Sequence, residues 1–259
     1  MVGSSGLPPV AAPSRLDLLR EKPILDFFPA LCELQPQITE LHLATYRRRP
    51  GLSERLKERL DPSSDDGLRR AAEQLSGEGI EFWDALLSLA LERGTLRESF
   101  VETALLHNFN LPERSFVLSR QQVLDQGLAE LIPQLNSGEG LLVRSQLHLQ
   151  SGQVAYLPML DFSCPCHGEN ARAIRKLVKL AGSPEGILVR SGRSYHFYGV
   201  TLLSEKEWLR FMAMALLFAP VTDARYIAHR LLDGECRLKI VDSDGGMIPV
   251  IEEAFLNEA

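Results

Sequence analysis

Residues 186–199, GILVRSGRSYHFYG, decide how the second half of this chain folds. An apolar run, Gly186 to Val189, leads into Arg190-Ser191-Gly192-Arg193-Ser194-Tyr195-His196, and a second apolar run extends to Leu203. Two strand-like runs joined by a short polar segment read as a hairpin. Hairpins usually turn on Asn-Gly or Asp-Gly, so a serine, a glycine, an arginine and a histidine in close succession ask for an explanation. One reading is a turn with polar decoration. The other is an anion-binding turn, in which Ser191 and Gly192 let backbone N–H groups come close and Arg193 offers a forked donor.

Working outward, "GLLVRSQLHL" (140–149) and "QVAYLPMLDF" (153–162) are strand-like, and "NARAIRKLVKLAG" (170–182) is helical. On the other side lies "SEKEWLRFMAMALLFA" (204–219), opened by Ser204 with Glu207 as a capping box, then "CRLKIV" (236–241) and "MIPVI" (247–251). Ser119 and Gln122 form a second capping box before "RQQVLDQGLAELIPQL" (120–135). A β-β-α-β-β-α-β order implies an α+β fold, a largely antiparallel sheet covered by helices.

From Arg15 to about Asn108 the pattern reads as helical throughout. "LDLLREKPILDFFPALCEL" has Pro23 as a boundary, and "LSERLKERLDP" runs from Ser53 as N-cap to Pro62 as stop. In "GIEFWDALLSLALERG", Ile80, Trp83, Leu86, Leu87 and Leu91 are placed on one face, with Gly94 at C′. "TLRESFVETALLHNF" follows with Thr95 as cap; His42 and His107 read as cap or surface residues. The chain thus divides into a disordered lead-in (1–14), an all-α domain (15–114) and an α+β domain (115–259).

Apolar residues make up 45% and charged residues 24%, which is ordinary for a globular protein, and the net charge of −6 excludes a polycation that wraps nucleic acid by bulk attraction. Residues 165–241 nevertheless hold twelve Lys/Arg against seven Asp/Glu, so a local basic face remains open. The four cysteines, Cys32, Cys164, Cys166 and Cys236, make no disulfide ladder. With no secretory leader pattern and no membrane-length apolar run, the expected setting is reducing and cytoplasmic.

Three stretches carry candidate chemistry. Asp161 ends the apolar run "AYLPMLDFSCP", where a sheet can hold a carboxylate rigidly for a divalent cation or where it can simply cap the next helix. His196 follows the Ser-Gly-Arg turn. Asp223 follows the apolar stretch "APVT" and precedes Arg225, His229, Arg230 and Arg237, which fit equally a solvated helix face.

In this order, Asp161-Phe162-Ser163, Ser191 through His196 and Thr222-Asp223 resemble the archaeo-eukaryotic primase superfamily of primase-polymerases, most closely its small standalone bacterial branch. The stretch Arg225-Tyr226-Ile227-Ala228-His229-Arg230-Leu231 adds to the likeness, which covers about residues 137–251. The resemblance implies a metal-dependent nucleotidyltransferase that takes nucleoside triphosphates and a DNA or RNA template and uses Mg2+ or Mn2+. Carried over residue by residue, Asp161, His196 and Asp223 are the implied catalytic group, with Asp161 and Asp223 as metal ligands. Ser191, Gly192, Arg193, His196 and Arg237 are the implied nucleotide contacts. The helical half is expected to be a scaffold or to bind a protein partner, and no membrane is implied.

One position departs from the family pattern. The first acidic pair is incomplete, because its second member is Ser163, a poor ligand for a hard cation. Cys164, Cys166, His167, Glu169, Asp242 or Asp244 stand near enough in sequence or pattern to substitute, or the site runs on one metal. The alternative is a catalytically impaired nucleotide- or nucleic-acid-binding module in a multi-protein assembly such as a defence system. "CPCHGE" places Cys164, Cys166 and His167 together but falls short of a zinc pattern, since C-x-C-H lacks a distant second pair unless Cys236 joins it in space.

Overall fold

The computed structural model describes residues 15–48, 66–78, 80–104, 114–183, 185–243 and 246–255. Among these, the strands are β1 (Ile38–Tyr46), β2 (Ser115–Ser119), β3 (Gly140–Leu149), β4 (Val154–Tyr156), β5 (Met159–Pro165), β6 (Gly186–Ser191), β7 (Ser194–Gly199), β8 (Arg237–Val241) and β9 (Val250–Phe255). The α-helices are α1 (Phe27–Leu34), α2 (Asp66–Gly77), α3 (Phe82–Glu92), α4 (Glu98–Ala104), α5 (Arg120–Gln126), α6 (Gly168–Ala181), α7 (Glu205–Leu216) and α8 (Ala224–Asp233). No helix among them is long and apolar enough to cross a membrane.

Residues 186–199 form the hairpin that their pattern implies, with β6 and β7 registered without a break from Gly186 opposite Gly199 to Ser191 opposite Ser194. Gly192 and Arg193 make the two-residue turn, and Gly192 supplies the positive φ of +81° that its first position requires. At the far end a side chain has no room: a Cβ on Gly186 would stand 2.4 Å from the Tyr198 carbonyl oxygen.

The strands build two sheets in which every pairing is antiparallel, in keeping with the α+β class. One sheet has the order β2-β1-β3, with β4 and β8 sharing the other edge of β3; the second is β5-β7-β6-β9. A single apolar core runs between them, from Phe27, Phe28 and Leu31 of α1 through Leu41, Val143, Leu160 and Phe197 to Trp208 and Phe211 of α7. Trp208 stacks on Tyr156, ring centroids 5.0 Å apart. Both capping boxes form as the sequence implies, at Ser119–Gln122 and Ser204–Glu207. The helix opened by Ser119 is shorter than its pattern, because Gly127 takes φ +66° and ends α5 at Gln126, after which 129–134 continues as a 3-10 turn.

The all-α reading of 15–114 does not hold. β1 begins at Ile38 and lies between β2 and β3 in the middle of the first sheet. Its alternation is real at Glu40-Leu41-His42-Leu43, but a bulge between Leu41 and Leu43 breaks the period. From there Leu43, Ala44, Thr45 and Tyr46 are all buried, and the run loses its strand signature. The helices α2, α3 and α4 make a separate small cluster around Leu68, Ala72, Trp83, Leu86 and Phe100, inserted between β1 and β2. Within α3 the buried face is Trp83, Ala85, Leu86 and Ala90, whereas Ile80 and Leu91 are exposed, contrary to the stripe expected from spacing. Gly94 does take the C′ position, at φ +64°. "LSERLKERLDP", His107 and residues 1–14 fall outside the described residues.

Candidate functional site

β5 and β7 bring Asp161 directly opposite His196. Antiparallel register puts opposed side chains on one face, and His196 Nε2 lies 3.5 Å from Asp161 Oδ1. Immediately after Asp161 the ladder slips, and the next registered pair is Pro165 with Ser194. This bulge frees the strand end to bind a second segment: Phe162 bridges to Thr222, the Ser163 N–H donates to the Val221 carbonyl (3.0 Å), and the Asp223 N–H donates to the Asp161 carbonyl (3.1 Å). Thr222 is buried and donates to the Ala215 carbonyl at the end of α7, which anchors the segment. Asp223 then caps α8, its Oδ1 accepting from the Tyr226 N–H at 2.7 Å. Two aspartates far apart in sequence are thereby fixed side by side through their backbones.

Their electrostatics follow from enclosure. Burial, then the neighbouring Asp223 charge, pushes the Asp161 carboxyl well above the usual carboxylate range, and burial raises Asp223 as well. Two partly buried carboxylates whose charges repel suit a divalent cation, because a hard ion takes oxygen ligands and cancels their repulsion. His196 is 3% exposed, and burial, assisted by the positive charge of Lys239, drives its pKa down to about 3. The ring is therefore neutral at physiological pH, and its Nδ1 is enclosed with no hydrogen-bond partner. A neutral ring has one donor and one acceptor nitrogen and acts as a hydrogen-bonding group, not as a cation.

Two further side chains belong to this neighbourhood, and sequence reasoning missed both. Lys239 of β8 donates to Asp242 Oδ2 at 2.8 Å, and its charge bears on both Asp161 and His196. The Tyr198 hydroxyl donates to its carbonyl at 3.4 Å, which ties β7 to β8 beside the site. Glu81, the residue before α3, is exposed, yet desolvation and the Asp223 charge push its carboxyl up, so the helical insert bears electrostatically on this region. Trp83 supports that approach, with the Arg225 guanidinium over its ring at 5.4 Å. The alternating Arg237 and Lys239 of "CRLKIV" is the one sequence signal for Lys239, whereas nothing local announces Glu81.

Other expected residues lie apart from the acid pair. Ser191 is buried with its Oγ unpartnered, and Gly192 and Arg193 are exposed at the hairpin tip. Ser194, next to that tip, is two residues from His196 along β7, about 7 Å at strand rise. Arg237 donates to Glu235 Oε1 at 2.7 Å and sits opposite Arg144 in the first sheet, so Lys239 is the β8 cation whose charge reaches His196. Ser163 is exposed beside Asp161. Of its candidate substitutes, His167 caps α6 by accepting from the Glu169 N–H, Asp242 pairs with Lys239, and Asp244 lies outside the described residues. Cys236 is fully buried against Met159 and Met212, while Cys164 and Cys166 pack partly buried on the core.

No curated protein and no solved structure matches the chain. A family model described as archaeo-eukaryotic primase 1D-like matches residues 119–250, just over half of the 259 residues. The matched region runs from the cap of α5 to the start of β9 and contains Asp161, His196 and Asp223, while β1 and the helical insert precede it. On that match, the chain belongs to the archaeo-eukaryotic primase 1D-like family.

Proposed function

We propose that the chain is a metal-dependent nucleotidyltransferase of primase-polymerase type, acting on nucleoside triphosphates and a nucleic-acid template. The observation that carries this reading is the convergence of Asp161 and Asp223, whose enclosed carboxylates repel one another and suit a divalent ion, Mg2+ or Mn2+. Such an ion, when bound, neutralises charge on the attacking and leaving oxygens of an in-line displacement. In that displacement a hydroxyl gives up its proton to water, its oxygen bonds to the α-phosphorus, the bond to the α,β-bridging oxygen breaks, and pyrophosphate leaves.

The chain's own residues divide the remaining work. Neutral His196 stands beside the Asp161 carboxyl, 3.5 Å away, and offers a ring N–H to phosphate without adding charge. Lys239 supplies the cation that an incoming triphosphate needs beside this pair. Backbone N–H groups at Ser191 and Gly192, with the Arg193 fork, favour phosphate at the hairpin tip. The Glu81 charge bears on Asp161, so the helical insert is read as neighbouring the site, in addition to any protein partner it engages.

Primer-extension and de novo priming assays with Mn2+ test the proposal, using Asp223→Asn and His196→Ala as controls. Template-dependent incorporation that disappears in both variants is the expected result. Exposed Ser163 favours a second reading, a module that binds nucleotide without turnover. Tight nucleotide binding by calorimetry with no incorporation on any template would replace the first reading with this one.

A further inference from the structure

Away from the acid pair, β1 and β3 place Glu40 opposite His148, and the bulge beside His42 holds that histidine near both. Glu40 Oε2 lies 3.5 Å from His148 Nδ1 and 3.6 Å from His42 Nε2. The two imidazole rings lie 4.7 Å apart, centroid to centroid, and the three ligand atoms are all within 4.8 Å of one another. Separations of this size are long for hydrogen bonds, which close at about 2.7–3.2 Å. They match two ligands sharing a tetrahedral ion: bonds of about 2.0–2.2 Å put ligand atoms about 3.3–3.6 Å apart. The His42 Nε2 is also buried and has no hydrogen-bond partner, so its lone pair or proton is unsatisfied without a further group.

We propose that Glu40, His42 and His148 bind a borderline transition ion, with zinc as the chemical type, leaving a fourth position for water or an exogenous ligand. Imidazole nitrogens select such ions over Mg2+, so this site differs in kind from the all-oxygen pair at Asp161 and Asp223. Half-exposed His148 gives the ion a path from solvent. Arg144, whose charge bears on His42, is held by both oxygens of the buried Glu235 carboxylate at 3.0 and 2.8 Å, which offsets its charge. Bound there, the ion ties β1, which precedes the family-matched region, to β3 within it. It would clip the added strand to the core across the bulge.

Cobalt(II) titration of untagged, chelator-treated full-length protein reads the site directly. The expected result is intense visible d–d absorption of a four-coordinate ion, displaced by Zn2+, and lost in both His148→Ala and Glu40→Gln. Asp161→Asn should retain the band, which separates this site from the nucleotidyl-transfer reading. Equilibrium dialysis should show one fewer Zn2+ per chain in His148→Ala than in the parent. Weak octahedral absorption only, or a spectrum and stoichiometry unchanged in the two variants, would overturn the proposal. Circular dichroism of His148→Ala, a half-exposed position, confirms that the fold is kept.

Discussion

Replacing Asp161 with asparagine keeps the shape of the side chain and removes one of two enclosed negative charges. In the metal-free protein, burial and then Asp223 push the Asp161 carboxyl from 3.8 up to about 8. Between about pH 4 and that raised value the native state keeps a proton that the unfolded chain has released. Stability therefore falls as pH rises through this window. Because 28% of the side chain still meets solvent, the retained proton counts over about two pH units only, about 2.7 kcal/mol. Asparagine has no proton to retain and no charge to repel Asp223. In chelator at pH 8, Asp161→Asn should be more stable than the parent by this amount, and near pH 4 the gap should close. For a chain of this length each kcal/mol moves the Tm by about 2–4 °C, so the expected gain is about 5–10 °C. Mn2+ at one hundred times its Kd should close the gap, since it stabilises the parent by about 2.7 kcal/mol and leaves the variant unmoved. At one thousand times Kd the parent gains about 4.1 kcal/mol and should become the more stable of the two. Thermal melts followed by circular dichroism at pH 4 and 8, with chelator and with Mn2+, decide the matter. A variant that is less stable at pH 8 in chelator, or that Mn2+ stabilises as much as the parent, would make Asp161 an ordinary structural residue and refute the reasoning.

Three other perturbations have defined outcomes. His196 is held neutral by burial with a pKa near 3, so the unfolded chain takes up a proton below about pH 6.5 that the native state refuses, and stability drops as pH falls toward 3. His196→Asn should flatten that acid limb by up to about 1.4 kcal/mol per pH unit in urea melts at pH 7, 6 and 5. Lys239→Met should raise the KM for nucleoside triphosphate about tenfold or more with a smaller change in kcat, as expected for loss of one charge-assisted contact, and steady-state kinetics checks it. Gly186→Ala forces a Cβ to 2.4 Å from the Tyr198 carbonyl oxygen and 2.6 Å from the Phe197 ring, so it should lower stability by about 1–3 kcal/mol, read by chemical denaturation.

The parts of the fold that rest on short-range chemistry were legible in the sequence. The Gly192 turn, the capping boxes at Ser119 and Ser204 and the C′ glycine at Gly94 each depend on a few neighbouring residues, and each forms. β1 was not legible, because the bulge near His42 cancels the period of two halfway along the strand and buries four consecutive residues after it. The face of α3 was only partly readable, since the insert is a small cluster that leaves Ile80 and Leu91 without neighbours to cover them. At the site, the placement of Asp161 beside Asp223 depends on hydrogen bonds between the end of β5 and the loop before α8, which no local pattern encodes. The family resemblance, and not periodicity, pointed to those two residues together. Lys239 and Glu81 escaped for the same reason: one arrives from the other sheet and the other from the helical insert.

The most direct test is anomalous diffraction at the manganese edge from crystals grown with Mn2+ and a non-hydrolysable nucleoside triphosphate. A manganese peak is expected at bonding distance from both Asp161 and Asp223, with the triphosphate running from the ion toward His196 and Lys239. A peak that misses either aspartate, or a nucleotide seated away from His196, would contradict it.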